Sequence, residues 1–220
     1  MDTIKAVVFD LDNTLVDRTT TFTNFARSFT DTYFQHIDFR EGLVKRIIEL
    51  DEDGYKEKNA MFKELLTELP WSSKPELTEL LHYYEKKYVE HALLMDDAKD
   101  VLRYTSEKYK TGLITNGKTS VQYGKLDRLK LRSSFDVIVV SEEAGIKKPD
   151  SRIFEIAAEQ LNLKPEECVY IGDHPVNDIE GAAAAGMKTI WLQVSQPWRE
   201  GLTVTPMHSI TSLKQLLDLL

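Results

Sequence analysis

The sequence predicts an α/β fold: a doubly wound, mainly parallel sheet interrupted by one all-α insertion. Three observations predict it. Short β-branched apolar runs recur along the chain, the segments between most of them have helical length and spacing, and one stretch, residues 16–94, contains no such run. Strands that are apolar throughout, rather than alternating, are buried on both faces, and that requires helices on both sides of the sheet.

The first run, residues 4–9, ends on Asp10 and reads as a buried strand. Four more follow the insertion, at 110–115, 136–140, 168–172 and 188–192. Ahead of the run at 168–172, Ile153, Phe154, Ala157, Ala158 and Leu161 keep one apolar stripe, in a helix that opens near Pro149-Asp150 and stops before Pro165. The insertion reads as helices over about 20–36, 41–50, 55–69 and 75–91, punctuated by Glu52-Asp-Gly54 and by the proline-flanked segment 69–75. It holds 12 of the 21 aromatic residues, enough for a small core of its own. Packing at helical spacing accounts for most of these rings, and none is assigned to a site. The expected division is therefore a sheet core of residues 1–15 and 95–220 and a helical insertion of residues 16–94. The tail, residues 209–220, reads as a capped helix packed on the sheet.

Composition narrows the function. The chain has 220 residues, 28 Lys+Arg against 36 Asp+Glu and a formal charge of −8. A net acidic surface argues against nucleic-acid binding, which depends on neutralising phosphates, but a few local cations still suffice for a small phosphorylated ligand. One cysteine, Cys168, forms no internal disulfide and no metal cluster, which points to a reducing, cytoplasmic setting. No run approaches the roughly 20 apolar residues of a membrane span, so no membrane partner is expected. Monomer and homodimer are equally open.

In an open parallel sheet, ligands bind beyond the carboxyl ends of the strands. The residues there are Asp10-Leu-Asp12-Asn-Thr14, Thr115-Asn116-Gly117, Gly145-Ile-Lys147-Lys148-Pro149-Asp150 and Gly172-Asp173-His174-Pro-Val-Asn177-Asp178. Each alone has an ordinary reading as a turn or helix cap. Together they gather the carboxylates Asp10, Asp12, Asp173 and Asp178 at one sheet edge, an arrangement that like-charge repulsion and desolvation oppose unless a cation compensates. A hard divalent ion with oxygen ligands resolves the conflict, and Mg²⁺ suits the set. Lys148 and the Thr115 hydroxyl then offer an anionic substrate a point cation and a donor, beside backbone N–H groups at a helix start.

These four motifs, in this order and on these strand ends, resemble those of the haloacid dehalogenase (HAD) superfamily of aspartate-nucleophile hydrolases, over about residues 4–192. Asp-x-Asp-x-Thr, Thr-Asn-Gly, Gly-x-x-Lys-Pro-Asp and Gly-Asp-x-x-x-x-Asp followed by Gly-Ala-x-x-Ala-Gly-Met all stand in the chain. The resemblance implies a Rossmann-like core, with the helical insertion as a cap of the type found in phosphoglycolate-phosphatase-like, dehalogenase-like and nucleotidase-like members. It further implies that Asp10 is the nucleophile that becomes an aspartyl-phosphate, and that Asp12 protonates the leaving oxygen and later activates water. Asp10, Asp173 and the main-chain carbonyl of Asp12 would hold the metal. Asp178 would sit behind it, acting through water or by orienting Lys148. Thr115 and the N–H groups of Asn116 and Gly117 would hold the phosphoryl oxygens, while Lys148 neutralises developing charge.

The resulting expectation is a Mg²⁺-dependent phosphatase acting on a small phosphomonoester. Rivals are a dehalogenase, against which Asp12 and the Asp173/Asp178 pair count, a phosphomutase sharing the first step, and a non-catalytic binding protein, which would be expected to have lost at least one motif residue. Spacing selects Lys148 over Lys147, read as a solvated neighbour. His174 is read as a turn residue before Pro175, with a titrating contact to the leaving group as the alternative. Arg18, Thr19, Thr20 and Thr21 could reach substrate or simply start a helix. Nucleoside monophosphates, phosphoglycolate and sugar phosphates all stay open as substrates.

Overall fold

The computed structural model describes residues 4–220. The chain enters β1 (Ala6–Phe9) and leaves it into four helices, α1 (Arg18–Tyr33), α2 (Glu41–Asp51), α3 (Lys58–Glu68) and α4 (Leu77–Glu90). It continues through α5 (Ala98–Lys108), β2 (Lys110–Thr115), α6 (Thr119–Leu129), β3 (Val137–Val140), α7 (Ser141–Ala144) and α8 (Ser151–Gln160). After β4 (Cys168–Gly172) come a π-helical segment, Pro175–Glu180, then α9 (Gly181–Ala184), β5 (Lys188–Leu192), β6 (His208–Ile210) and α10 (Leu216–Leu219).

All six strands pair in parallel, in the order β3-β2-β1-β4-β5-β6. Alternation along each strand is the reason both faces need cover. Val7, Phe9, Leu113, Val169 and Ile171 join one apolar cluster with Val101 and Leu102 of α5, Leu126 of α6 and Leu216 of α10. Their neighbours Ala6, Val8, Ile114, Cys168 and Tyr170 join a second with Ile153, Phe154, Ala157 and Ala158 of α8. The sheet is therefore doubly wound, as the unbroken apolar runs require. The strand order puts β1 between β2 and β4, where the winding direction reverses. Phe9 lies opposite Leu113 and Ile171, so Asp10, Thr115 and Asp173 all emerge at adjacent strand ends.

Contacts separate a sheet unit, the described residues up to Asp17 with Leu94–Leu220, from a helical unit, Arg18–Leu93. The sequence expectation divides the chain after residues 15 and 94, and the contacts divide it after Asp17 and Leu93. Val16 belongs with the sheet unit because it bridges to Asp12 and Leu94. In the helical unit, α1 turns Phe22, Phe25 and Phe29 inward. Phe29 is fully buried against Phe25, Tyr33, Phe34, Phe62, Trp71 and Tyr83, with ring centroids 4.9–6.2 Å away. Phe39 and Tyr55 are the exposed exceptions to the packing expectation.

Element ends shift by up to three residues; α1, for example, starts and stops earlier than expected. The tail needs a real correction. Residues 208–210 form a parallel edge strand on β5, and only a 3₁₀ turn, Leu213–Gln215, and the short α10 follow. Three residues are too few to show a strand period, and the capping signal belongs to Ser212, whose N–H donates to Gln215 Oε1 at 3.2 Å. Phe29→Ala should cost about 3–5 kcal/mol in the helical unit, the usual loss for a buried ring. Chemical denaturation followed by tryptophan fluorescence measures this, and a loss below about 1 kcal/mol would contradict the packing described.

Candidate active site

Three carboxylates meet at the ends of β1 and β4. Asp10, Asp173 and Asp178 are all buried, and each offers an oxygen within 4.8 Å of the others. Lys148 Nζ sits among them, 2.6 Å from Asp10 Oδ1 and 2.6 Å from Asp178 Oδ1. It also donates to Tyr170 Oη at 2.9 Å, and that hydroxyl lies 3.2 Å from Asp178 Oδ1. Asp178 Oδ2 accepts the His174 amide at 2.9 Å. Gly172 lets Asp178 approach this closely, since a Cβ there would lie 2.5 Å from the Asp178 carboxyl.

Burial pushes the Asp10 carboxyl up to about 7, with Asp178 adding to the rise and Lys148 pulling against it. Burial likewise holds Asp173 well above the carboxylate range, reinforced by the charges of Asp178 and Asp10. Burial would lower Lys148, but Asp10 and Asp178 outweigh it and keep the ammonium protonated. One lysine thus leaves these carboxylates short of positive charge, and a donor set of clustered carboxylate oxygens fits a divalent cation.

Asp12 is brought to the same edge, but its carboxylate faces α6. Lys125 Nζ donates to both of its oxygens at 2.6 Å, and Gln122 Nε2 donates to Oδ2 at 3.0 Å. Thr115 is buried, and its Oγ1 accepts from the same Gln122 nitrogen at 2.5 Å. Asn116 uses its side-chain amide to clamp the Lys148 backbone, accepting from Lys148 N at 2.9 Å and donating to Lys148 O at 3.0 Å. The Gly117 amide donates to Ser141 Oγ at 3.0 Å, so in this arrangement it is engaged rather than offered to an anion. Lys147 is exposed while Lys148 is buried, in keeping with the spacing argument.

His174 behaves as a turn residue: its Nδ1 accepts the amides of Val176 at 3.1 Å and Asn177 at 2.9 Å. Arg18 starts α1 and pairs within the helical unit with Asp51 at 2.5 Å and Asp53 at 3.2 Å. Sequence reasoning passed over Lys125, Gln122, Tyr170, Ser195 and Trp191. Ser195 Oγ donates to Asp173 Oδ2, and Trp191 Nε1 donates to Asp173 O at 2.8 Å. Two signals were available: a lysine on the apolar side of α6, and a tyrosine inside an otherwise apolar strand, whose hydroxyl needs a partner.

The parallel sheet with a carboxylate cluster at its switch point defines an α/β protein, and the family model for haloacid dehalogenase-like hydrolase matches its residues 7–192. The chain belongs to that family. It is 31% identical over 227 residues to a glyceraldehyde 3-phosphate phosphatase of Pyrococcus furiosus, covering 100% of this chain and 94% of the relative. It is 40% identical over 115 residues to the pyrimidine 5'-nucleotidase YjjG of Escherichia coli, covering 50% and 49% of the two chains. Among solved structures, the HAD-hydrolase YfnB of Bacillus subtilis, bound to magnesium, shares the fold with a TM-score of 0.82 at 24% identity, over 98% of each chain. No helix among the described residues is long and apolar enough to cross a membrane.

The raised Asp10 pKa fixes the sign of a pH effect. Folded Asp10 binds its proton more tightly than the unfolded chain does, so its contribution to stability is full below 3.8 and is lost as pH rises to about 7. Metal-free protein should lose stability across that window, and a divalent cation should raise Tm more at about pH 8 than at about pH 5. Equal gains at both pH values in thermal melts would contradict the cluster as a cation site.

Proposed function

We propose that the protein is a Mg²⁺-dependent phosphatase that hydrolyses a small phosphomonoester through an aspartyl-phosphate on Asp10. The observation that carries this reading is the buried Asp10, paired with Lys148 at 2.6 Å inside the carboxylate cluster. A carboxylate is a weak nucleophile, and phosphoryl transfer asks of it mainly positioning and charge neutralisation. The phosphatase names of the relatives support the same reading.

In the first step an Asp10 oxygen bonds to phosphorus, the ester P–O bond breaks, and Asp12 gives its proton to the departing oxygen, releasing an alcohol. In the second, Asp12 as carboxylate takes a proton from water, the water oxygen bonds to phosphorus, and the bond between the Asp10 oxygen and phosphorus breaks, which releases inorganic phosphate and restores the Asp10 carboxylate. Lys148 offsets the charge on the equatorial oxygens, and the Thr115 hydroxyl and the backbone N–H of Asn116 bind them. Tyr170 and Asp178 hold Lys148 in place. Mg²⁺ would be held by Asp10, Asp173 and the main-chain carbonyl of Asp12, with Asp178 beside them, and it would neutralise charge shared between Asp10 and the phosphate. The helical unit, inserted between the first and second motifs, acts as the cap in this reading.

The substrate class is a small phosphorylated metabolite. The relatives that match along the whole chain carry sugar-phosphate names, whereas the nucleotidase matches half of it. The test is a phosphate-release screen over triose and sugar phosphates, phosphoglycolate and pyrimidine nucleoside monophosphates, with and without Mg²⁺, and with 2-haloacids in parallel. Wild type should release phosphate only with the metal. Asp10→Asn should abolish turnover, and Asp12→Asn should lower kcat by about 10²–10⁴-fold. Phosphate release by Asp10→Asn equal to wild type, or halide release in place of phosphate, would overturn the proposal.

A further inference from the structure

Helix α6 buries Val121, Gln122, Lys125 and Leu126. Two of these are polar, and taking a lysine ammonium out of water is strongly unfavourable unless a partner compensates. Gln122 and Lys125 stand three apart and so share one helix face. Both point to Asp12. Lys125 grips both carboxylate oxygens at 2.6 Å, and Gln122 donates to Oδ2 at 3.0 Å. The same Gln122 nitrogen lies 2.5 Å from Thr115 Oγ1 and 2.8 Å from Asn116 O. An amide nitrogen carries two hydrogens, so three acceptors share them, one being the carboxylate and another the phosphate-binding hydroxyl.

We propose that Lys125 and Gln122 are positioning residues for the reaction: Lys125 fixes the Asp12 carboxylate for proton transfer to the leaving oxygen, and Gln122 ties that carboxylate to Thr115. This inference rests on Asp12 being the acid/base residue. Neither residue lies in the four sequence motifs.

The geometry gives each a separate task. The Asp12 side chain is 23% exposed, whereas that of Lys125 is 1% exposed, so the buried lysine is the fixed post and the carboxylate the group it orients. A cation on both oxygens sets the plane of the carboxylate but not which oxygen carries the transferable proton. Gln122 breaks that symmetry by holding Oδ2 as an acceptor, which leaves Oδ1 to carry it. Because Gln122 also donates to Thr115 Oγ1, the hydroxyl's own hydrogen points elsewhere, here over a long 3.5 Å contact to Asn116 O that a phosphoryl oxygen would replace.

The experiment compares two esters in single turnover: a small alkyl phosphate, whose leaving oxygen needs a proton, and 4-nitrophenyl phosphate, whose leaving group needs little help. Lys125→Met keeps the side-chain length and removes the charge. It should slow release from the alkyl ester about tenfold or more beyond its effect on the nitrophenyl ester, with KM little changed. Lys125→Arg should restore part of the loss, and Gln122→Leu should show the same leaving-group pattern more weakly. It also carries the comparison if Lys125→Met does not fold. Equal losses on both esters in variants that melt like wild type would overturn the positioning role, because they would mark a purely structural one. Asp12→Asn is run alongside. If it shows the leaving-group pattern and the α6 variants do not, only the positioning role falls; if it lacks the pattern, the acid/base assignment of Asp12 falls and the inference with it.

Discussion

Asp10, Asp173 and Asp178 are packed so closely, and so far out of water, that Lys148 offsets only part of their charge. Much of the surrounding structure follows from managing that imbalance. Tyr170 is an aromatic in the middle of a buried strand, and its hydroxyl takes up a third donor direction of Lys148. Gly172 has no side chain because the Asp178 carboxyl fills the space. The Asn116 side-chain amide is turned to the main chain of Lys148. It braces the Lys148 backbone in both directions, which keeps the ammonium from drifting out of its slot. A buried ion cluster of this kind contributes little to stability for its own sake.

Sheet topology makes the crowding achievable. Parallel strands carry their carboxyl ends to one side, and placing β1 between β2 and β4 puts three of the four motif segments on adjacent strands. The fourth, bearing Lys148, comes from the loop between α7 and α8. Precision then comes from rigid elements rather than from loops alone: Tyr170 lies within β4, and Lys125 and Gln122 project from α6. Helix α6 thereby does two jobs, covering one face of the sheet through Leu126 and addressing Asp12 through its polar pair.

The parts of the fold legible in the sequence were those set by burial on both faces. Five strands stood out because a short, unbroken β-branched run suits little besides a strand covered on both sides. Asp10 and Asp173 stood out because a charge directly after such a run sits at a strand end. The sixth strand was illegible, because three residues held by pairing to β5 carry no periodic signal. Lys125 was hidden for a different reason: sequence alone does not tell a lysine facing water from one buried against a carboxylate 113 positions away. The direction of the Asp12 side chain and the Gly117 bond to Ser141 were hidden likewise, since both depend on contacts between segments far apart in the chain.

The long gap between β1 and its neighbours has a consequence for how the chain acquires its structure during synthesis. Ala6 pairs with Lys110 and with Cys168, so the first strand emerges without a partner and waits while the whole helical unit is made. The ring contacts of Phe25 and Phe29 described above lie within that unit, and domains fold as units from the N-terminus during synthesis. The inserted helices can therefore complete their core while the sheet still lacks its second strand. By holding the ends of its segment together, a finished insertion shortens the loop that β1 must close to meet β2, and loop closure is the entropic barrier that makes distant parallel pairing slow.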